Sequence, residues 1–209
     1  LTFAVATNFN FNATTGTSYF RGIENIITAN SGIVTFNVGN FNYGGGNFAG
    51  YYSAHNAGLA SSFTATGLMQ ITFTNAATDT CAFIGLTTLG AVTSNMRLNL
   101  TVGGNFNITG PAGLFISNLA DGRETISITG SANISGGKNY FNSISTSIPN
   151  PHPVQMNIGT DLQVYGGITS LSGGNDSLIA TIGGSLLVSL GELTLQGGNK
   201  GATVSVAGG

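Results

Sequence analysis

Four stretches in the second half of the chain share one eleven-residue form. Leu100 to Gly110 reads LTVGGNFNITG, Ile126 to Gly136 reads ISITGSANISG, Met156 to Gly166 reads MNIGTDLQVYG, and Ala180 to Leu190 reads ATIGGSLLVSL. Each copy is apolar-x-apolar, a small pair usually containing Gly, a short polar residue (Asn105, Ser131, Asp161, Ser185), then apolar-x-apolar. A fifth copy opens at Val204 with VSVAGG, and the steps between copies are 26, 30, 24 and 24 residues. The last steps also align LSGGND from Leu171 with LQGGNK from Leu195.

Alternation of apolar and other residues at period two marks β-strands, and the Gly pair marks a corner, because glycine adopts turn conformations closed to other residues. A unit this short cannot bury its own inward side chains, so copies must stack on one another. Stacking sets Leu100, Val102, Phe106 and Ile108 on Ile126, Ile128, Ala132 and Ile134, and these on Met156, Ile158, Leu162 and Val164. The polar residues Asn105, Ser131, Asp161 and Ser185 then form a column that hydrogen-bonds along the stack. The expected fold is all-β, a parallel β-helix or β-solenoid with coils of about 24–30 residues. The alternative is a β-sandwich or jelly roll, which accounts for alternation but not for a shared motif with a fixed corner.

The first half carries the motif loosely. FAVATNFNFN from Phe3 superposes on LTVGGNFNIT, with Asn8 on Asn105, and FNVGNFNYG from Phe36 matches with one residue deleted. Placing a further copy at Ile71 to Phe73 makes the steps 33, 35 and 29 residues. Ten of the 13 Phe and four of the six Tyr precede Arg97. Residues 1–97 therefore read as an irregular, aromatic-rich region with longer coils and loops, and residues 98–209 as regular repeats of one continuous solenoid.

Composition then restricts function. Only 6% of the 209 residues are charged, against about 25% in an average domain. The net charge of -2 and five scattered basic residues offer no patch for nucleic acid. The single Cys81 excludes an intrachain disulfide framework. From Asn25 to Thr78 the chain runs 54 residues without Lys, Arg, Asp or Glu. Polar residues interrupt that run too often for a transmembrane segment, and a transmembrane barrel would carry a charged lumen. The first residue is Leu1 rather than Met, and no basic stretch followed by an apolar run precedes the folded pattern, so any signal peptide is expected to have been removed or not included.

Candidate chemistry is sparse, and the expectation is a non-enzymatic protein with no cofactor and no metal. Sugar-cleaving β-helices need two carboxylates in one cleft. The close pair here, Asp121 and Glu124, falls in NLADGRET beside Arg123 and reads as an ion pair in a polar turn. Asp161 and Glu192 lie at different phases of the repeat. His55 and His152 are isolated and read as surface residues. GGND at Gly173 has the Gly-and-Asp character of calcium-binding solenoid corners, but its copy is GGNK, and one carboxylate cannot cage a cation that takes six or more oxygens. YGGGNFAG from Tyr43 lacks the helix and Lys of a phosphate loop. Adjacent Tyr51 and Tyr52 point to opposite faces of an extended chain, so one is a candidate exposed contact or carbohydrate platform. Sequons occur at Asn12, Asn99, Asn107, Asn133 and Asn175. About five are expected by chance from 23 Asn and 45 Ser and Thr, so they carry no evidence of glycosylation.

At VGGNFNITG, IGTDLQVYGG and IGGSLLVSLGELTLQGG, over residues 98–209, the chain resembles the repetitive β-solenoid passengers of bacterial secreted and surface proteins, among them haemagglutinin-type adhesins and autotransporters. The resemblance implies an extracellular or cell-surface location and a role in adhesion, surface structure or fibre formation, and it carries over no functional residue. Both chain ends bear uncharged copies of the motif, where exposed sheet edges are normally blunted by charge or proline. The expected assembly edges are Phe3, Val5, Phe9 and Phe11 at one end and Val204 and Val206 at the other. These would meet further solenoid repeats or, by self-association, neighbouring copies in a head-to-tail filament, with a glycan or neighbouring cell surface as the external partner. The rival expectation is a β-helix that binds or cleaves polysaccharide.

Overall fold

The structure, a computed structural model, describes residues 2–12, 17–21, 35–51, 60–74, 79–84, 97–117, 123–141, 153–173 and 176–208. Those residues contain no helix. They form β1 (Thr2–Phe11), β2 (Thr17–Arg21), β3 (Thr35–Tyr43), β4 (Asn47–Tyr51), β5 (Ala60–Ala65), β6 (Met69–Thr72), β7 (Thr80–Ile84), β8 (Arg97–Val102), β9 (Phe106–Thr109), β10 (Leu114–Ser117), β11 (Arg123–Ile128), β12 (Ala132–Phe141), β13 (Val154–Ile158), β14 (Leu162–Ser172), β15 (Leu178–Ile182), β16 (Leu186–Val188), β17 (Glu192–Gln196) and β18 (Ala202–Val206).

Every strand pairing is parallel, and the pairings resolve into three ladders, as expected for a β-solenoid rather than a sandwich. The first ladder has eight rungs: β1, β3, β5, β8, β11, β13, β15 and β18. The second stacks the far ends of β1 and β3, then β6, β9, the start of β12, the start of β14, and β16. The third stacks β2, β4, β7, β10, the end of β12, the end of β14, and β17. Each coil thus has three sides. The ladders run unbroken past residue 97, with β8, β9 and β10 resting on β5, β6 and β7.

The inward stacks follow the repeat motif. Leu100 pairs with Ile126 and Ile126 with Met156; Ile108 pairs with Ile134 and Ile134 with Val164. In the aromatic half the same stacking sets ring on ring: Phe3 and Phe63 flank Phe36 with centroids 4.7 and 4.9 Å away. Phe41 is fully buried and meets Phe9, Phe48, Phe63 and Phe83. Where Phe106 fills the core, the neighbour in the next coil is Ala132, so large and small side chains share the available width.

The phase of one copy differs from the sequence expectation. Ile71 pairs with Tyr43 and Ile108 and belongs to the second ladder; the first-ladder equivalent of Phe36 and Leu100 is Phe63. Register through Thr2, Thr35, Ser62 and Asn99 makes the early steps 33, 27 and 37 residues, where placing the copy at Ile71 gave 33, 35 and 29. FTA at Phe63 has weaker alternation than ITF at Ile71, and local pattern alone favoured the wrong one.

The corner between the first and second sides explains the Gly-Gly-polar signature. Backbone amides there form their own ladder: Gly67 donates to Gly39, Gly104 to Gly67, Gly130 to Gly104, Thr160 to Gly130, Gly184 to Thr160 and Gly208 to Gly184. The polar residue caps the next coil, as Asn40 Oδ1 accepts Leu68 N at 2.7 Å, Asn105 Oδ1 accepts Ser131 N at 3.0 Å and Asp161 Oδ1 accepts Ser185 N at 2.8 Å. Ser131 continues the column through its hydroxyl, which meets the Thr160 hydroxyl at 2.7 Å.

A Cβ at Gly103 would collide with the backbone carbonyl of Thr66 in the coil before it. Gly103→Ala is therefore expected to cost about 1–3 kcal/mol in urea unfolding, the usual penalty for overpacking. Thr129→Ala, one coil on and exposed, is expected to stay within about 0.5 kcal/mol of the parent.

Candidate functional site

The described carboxylates are dispersed over different parts of the scaffold. Asp79, 4% exposed, sits at the entry to β7 and binds two turns at once. Its carboxylate accepts Gly46 N at 2.9 Å, Thr74 N at 2.6 Å and Thr74 Oγ1 at 3.1 Å. Gly45 and Gly46 reach it through positive φ, at 119° and 85°, which is where the glycines of YGGGNFAG are required. Beside it the Tyr43 hydroxyl donates to the Gly46 carbonyl. Burial above all, then neighbouring Cys81 and Asp79, push that hydroxyl well above the ordinary tyrosine range.

Asp176 is 3% exposed at its side chain and pairs with Lys200 Nζ at 3.1 Å. The GGND and GGNK copies, 24 residues apart, thus meet as an ion pair between adjacent coils, which puts the lysine where a cation-binding repeat would place a second carboxylate. Asp161 serves the corner column, and Glu192 pairs in register with Ile168 on the third side. No group of three His, Cys, Asp or Glu able to hold a metal occurs among the described residues. His55 and His152 lie outside them.

Glu124 overturns its sequence reading. It lies in β11, not in a polar turn, and is fully buried. Its register partners are Leu98 and Val154, so it occupies an inward position that neighbouring coils fill with apolar residues. Neither carboxylate oxygen, nor the buried hydroxyl of Ser117, completes a hydrogen bond of regular geometry. Burial raises its pKa to about 8, offset in part by Ser117. The signal was present in the sequence: Glu124 stands two residues before Ile126, as Leu98 does before Leu100 and Val154 before Met156. Asp121, its expected partner in the turn, is outside the described residues.

The outward faces of the described strands are nearly uncharged and mostly polar, with Ile168, Ile179 and Leu187 exposed in the last coils. On the second side Asn42 donates to Asn10 at 2.8 Å, Asn107 to Gln70 at 3.1 Å and Asn133 to Asn107 at 2.9 Å. The sequon residues Asn107 and Asn133 therefore use their amide nitrogens within this ladder. Asn99 is half-buried on the first side, Asn12 is exposed after β1, and Asn175 is outside the described residues. Tyr52 is also outside them, and Tyr51 ends β4 in register with Arg21 and Ile84. The adjacent pair of tyrosines is thus not described as a contact. A shallow hollow of about 330 Å³ lies where β1 bulges between Val5 and Asn8; Val5, Asn37, Val38 and Thr66 line it, with no charged group.

The expected assembly edges occupy the two terminal rungs. Phe3, Val5, Phe9 and Phe11 are half-buried, packed on the core from one side. At the opposite end Val204 is half-buried and Val206 is 41% exposed, while Leu190 is 88% exposed. Seven steps of about 4.8 Å set the first-ladder ends roughly 34 Å apart. Among the described residues no strand pairs with the outer edge of β1 or of β18.

No protein-family model, no curated protein and no solved structure matches this chain. No helix of the described residues is long and apolar enough to cross a membrane.

Two outcomes follow from the buried groups. Cys81 is fully buried and its thiol is held well above the ordinary range by burial, so it should resist a thiol-reactive dye at pH 8 and label at once in denaturant. Asp79→Ala leaves three donors without their acceptor and is expected to cost at least about 2 kcal/mol, read as a lowered urea midpoint.

Proposed function

We propose that this chain is a non-enzymatic structural segment or subunit of an extracellular fibre or adhesin stalk, in which its terminal rungs are covered by further coils of the same kind. The observation that carries this reading is the uncharged, apolar-alternating character of the outermost described rungs, β1 and β18. The inward column that is sealed at Val102 and Ile128 continues outward to half-exposed Val5 at one end and to Val206 at the other. A parallel rung hydrogen-bonds on both edges, so an open edge is a template for another strand. β18 supplies one side of its coil, and β16 and β17 end the other two ladders. The covering coil comes from adjoining polypeptide or from a neighbouring copy.

The dispersed carboxylates and the neutral outward faces also favour a scaffold over a hydrolase, since glycoside cleavage needs two carboxyl groups within about 10 Å across a substrate cleft. The resemblance to surface-protein passengers supports an extracellular setting.

Sedimentation velocity across a hundredfold concentration range, with electron microscopy of the same samples, tests the reading. End-to-end association is expected to grow with concentration, and Val206→Asp should suppress it by placing an unpaired charge in the contact. Uniform monomers at every concentration, together with a parent polypeptide that has no further repeats, would remove the proposal. Release of reducing ends from a polysaccharide panel would instead establish the rival, enzymatic reading.

A further inference from the structure

Glu124 is the one described carboxylate that the scaffold leaves unsatisfied. It enters the core at the start of β11, and Ser117 closes β10 in the preceding coil; both are fully buried and both lack a hydrogen-bond partner of regular geometry. Around them the equivalent ladder positions are apolar: Leu98 and Val154 flank Glu124, and Phe83 and Phe141 flank Ser117. A charged carboxylate cannot remain dry in such surroundings without a partner. A neutral carboxyl group can, because losing the charge removes most of that desolvation cost; the Ser117 hydroxyl is the polar group that acts on it there, and as a donor it offsets the effect of burial only in part.

We infer that Glu124 and Ser117 form a proton-dependent latch between the end of β10 and the start of β11. With the proton present the start of β11 stays paired with β8 and β13. Without it, the carboxylate must reach water, and the least costly route is to lift the start of β11 away from β8 and β13, opening the pairs of Glu124 with Leu98 and Val154. The side chains at the facing positions of β8, β13 and β10 are Leu98, Val154 and Ser117, and no other titratable group acts on Glu124 among the described residues.

The direction of the pH effect follows from linkage. The carboxyl holds its proton to about pH 8 in the folded chain but releases it near its ordinary value of 4.5 once unfolded. Between those values the folded state binds more protons, so stability is greatest below the window and falls as pH rises through it.

The test is amide hydrogen exchange of the full chain at pH 5 and pH 8, each rate divided by its intrinsic value. The start of β11 and its partners in β8 and β13 are expected to lose at least about tenfold protection at pH 8, while distant rungs change little. Glu124→Gln and Glu124→Leu, the second matching its ladder neighbour, should both abolish that loss. Ser117→Ala should move its midpoint to higher pH. A carbon-13 titration of the Glu124 carboxyl reads the latch directly. A midpoint in the ordinary carboxylate range, uniform protection at both pH values, or an undiminished pH effect in both Glu124 variants would overturn the inference.

Discussion

Everything in this protein depends on the hydrogen bonding of one coil to the next. Parallel strands lie about 4.8 Å apart, so every residue is held against its equivalents above and below, and a side chain suits its position only if the whole column does. Inward columns become continuous apolar stacks, from Phe3 on Phe36 to Ile134 on Val164. Outward columns become amide ladders such as Asn42 on Asn10. Corners become columns of glycine, because the backbones of successive turns touch through Gly39, Gly67 and Gly104.

The same constraint explains how so few charges suffice. A solenoid with neutral faces has little use for surface ion pairs, which contribute modestly in any case. Asp176 and Lys200 join adjacent coils, Asp79 ties two turns, and Asp161 caps a corner. Among the described charged residues Glu124 alone is buried without a partner of either kind, and with Ser117 it breaks the apolar column rule. Such a departure costs stability, and the cost varies with the proton it carries.

Much of this was legible before any coordinates. The alternation around Leu100, Ile126, Met156 and Ala180 marked which side chains face inward, and the structure pairs them as the motif aligned them. The polar column at Asn105 and Asp161 was likewise readable, although its acceptors meet backbone amides of the next coil more often than one another. Less was legible where loops vary in length. Ile71 has the better local pattern but sits in the second ladder, because the number of residues between successive first-ladder strands differs from coil to coil. Glu124 was misread through its neighbours in sequence, Asp121 and Arg123, when its neighbours in space are Leu98 and Val154.

The sequence by itself determined the strand character, the glycine corners and the inward set of the regular repeats, since period-two alternation and a repeated corner are local properties of the chain. Only the tertiary structure decided that each coil has three sides, which copy of the first half falls on which rung, and which polar groups are sealed inside. Those depend on contacts between residues 24 to 37 positions apart, whose register is set by the stacking of whole coils and not by any stretch of sequence on its own.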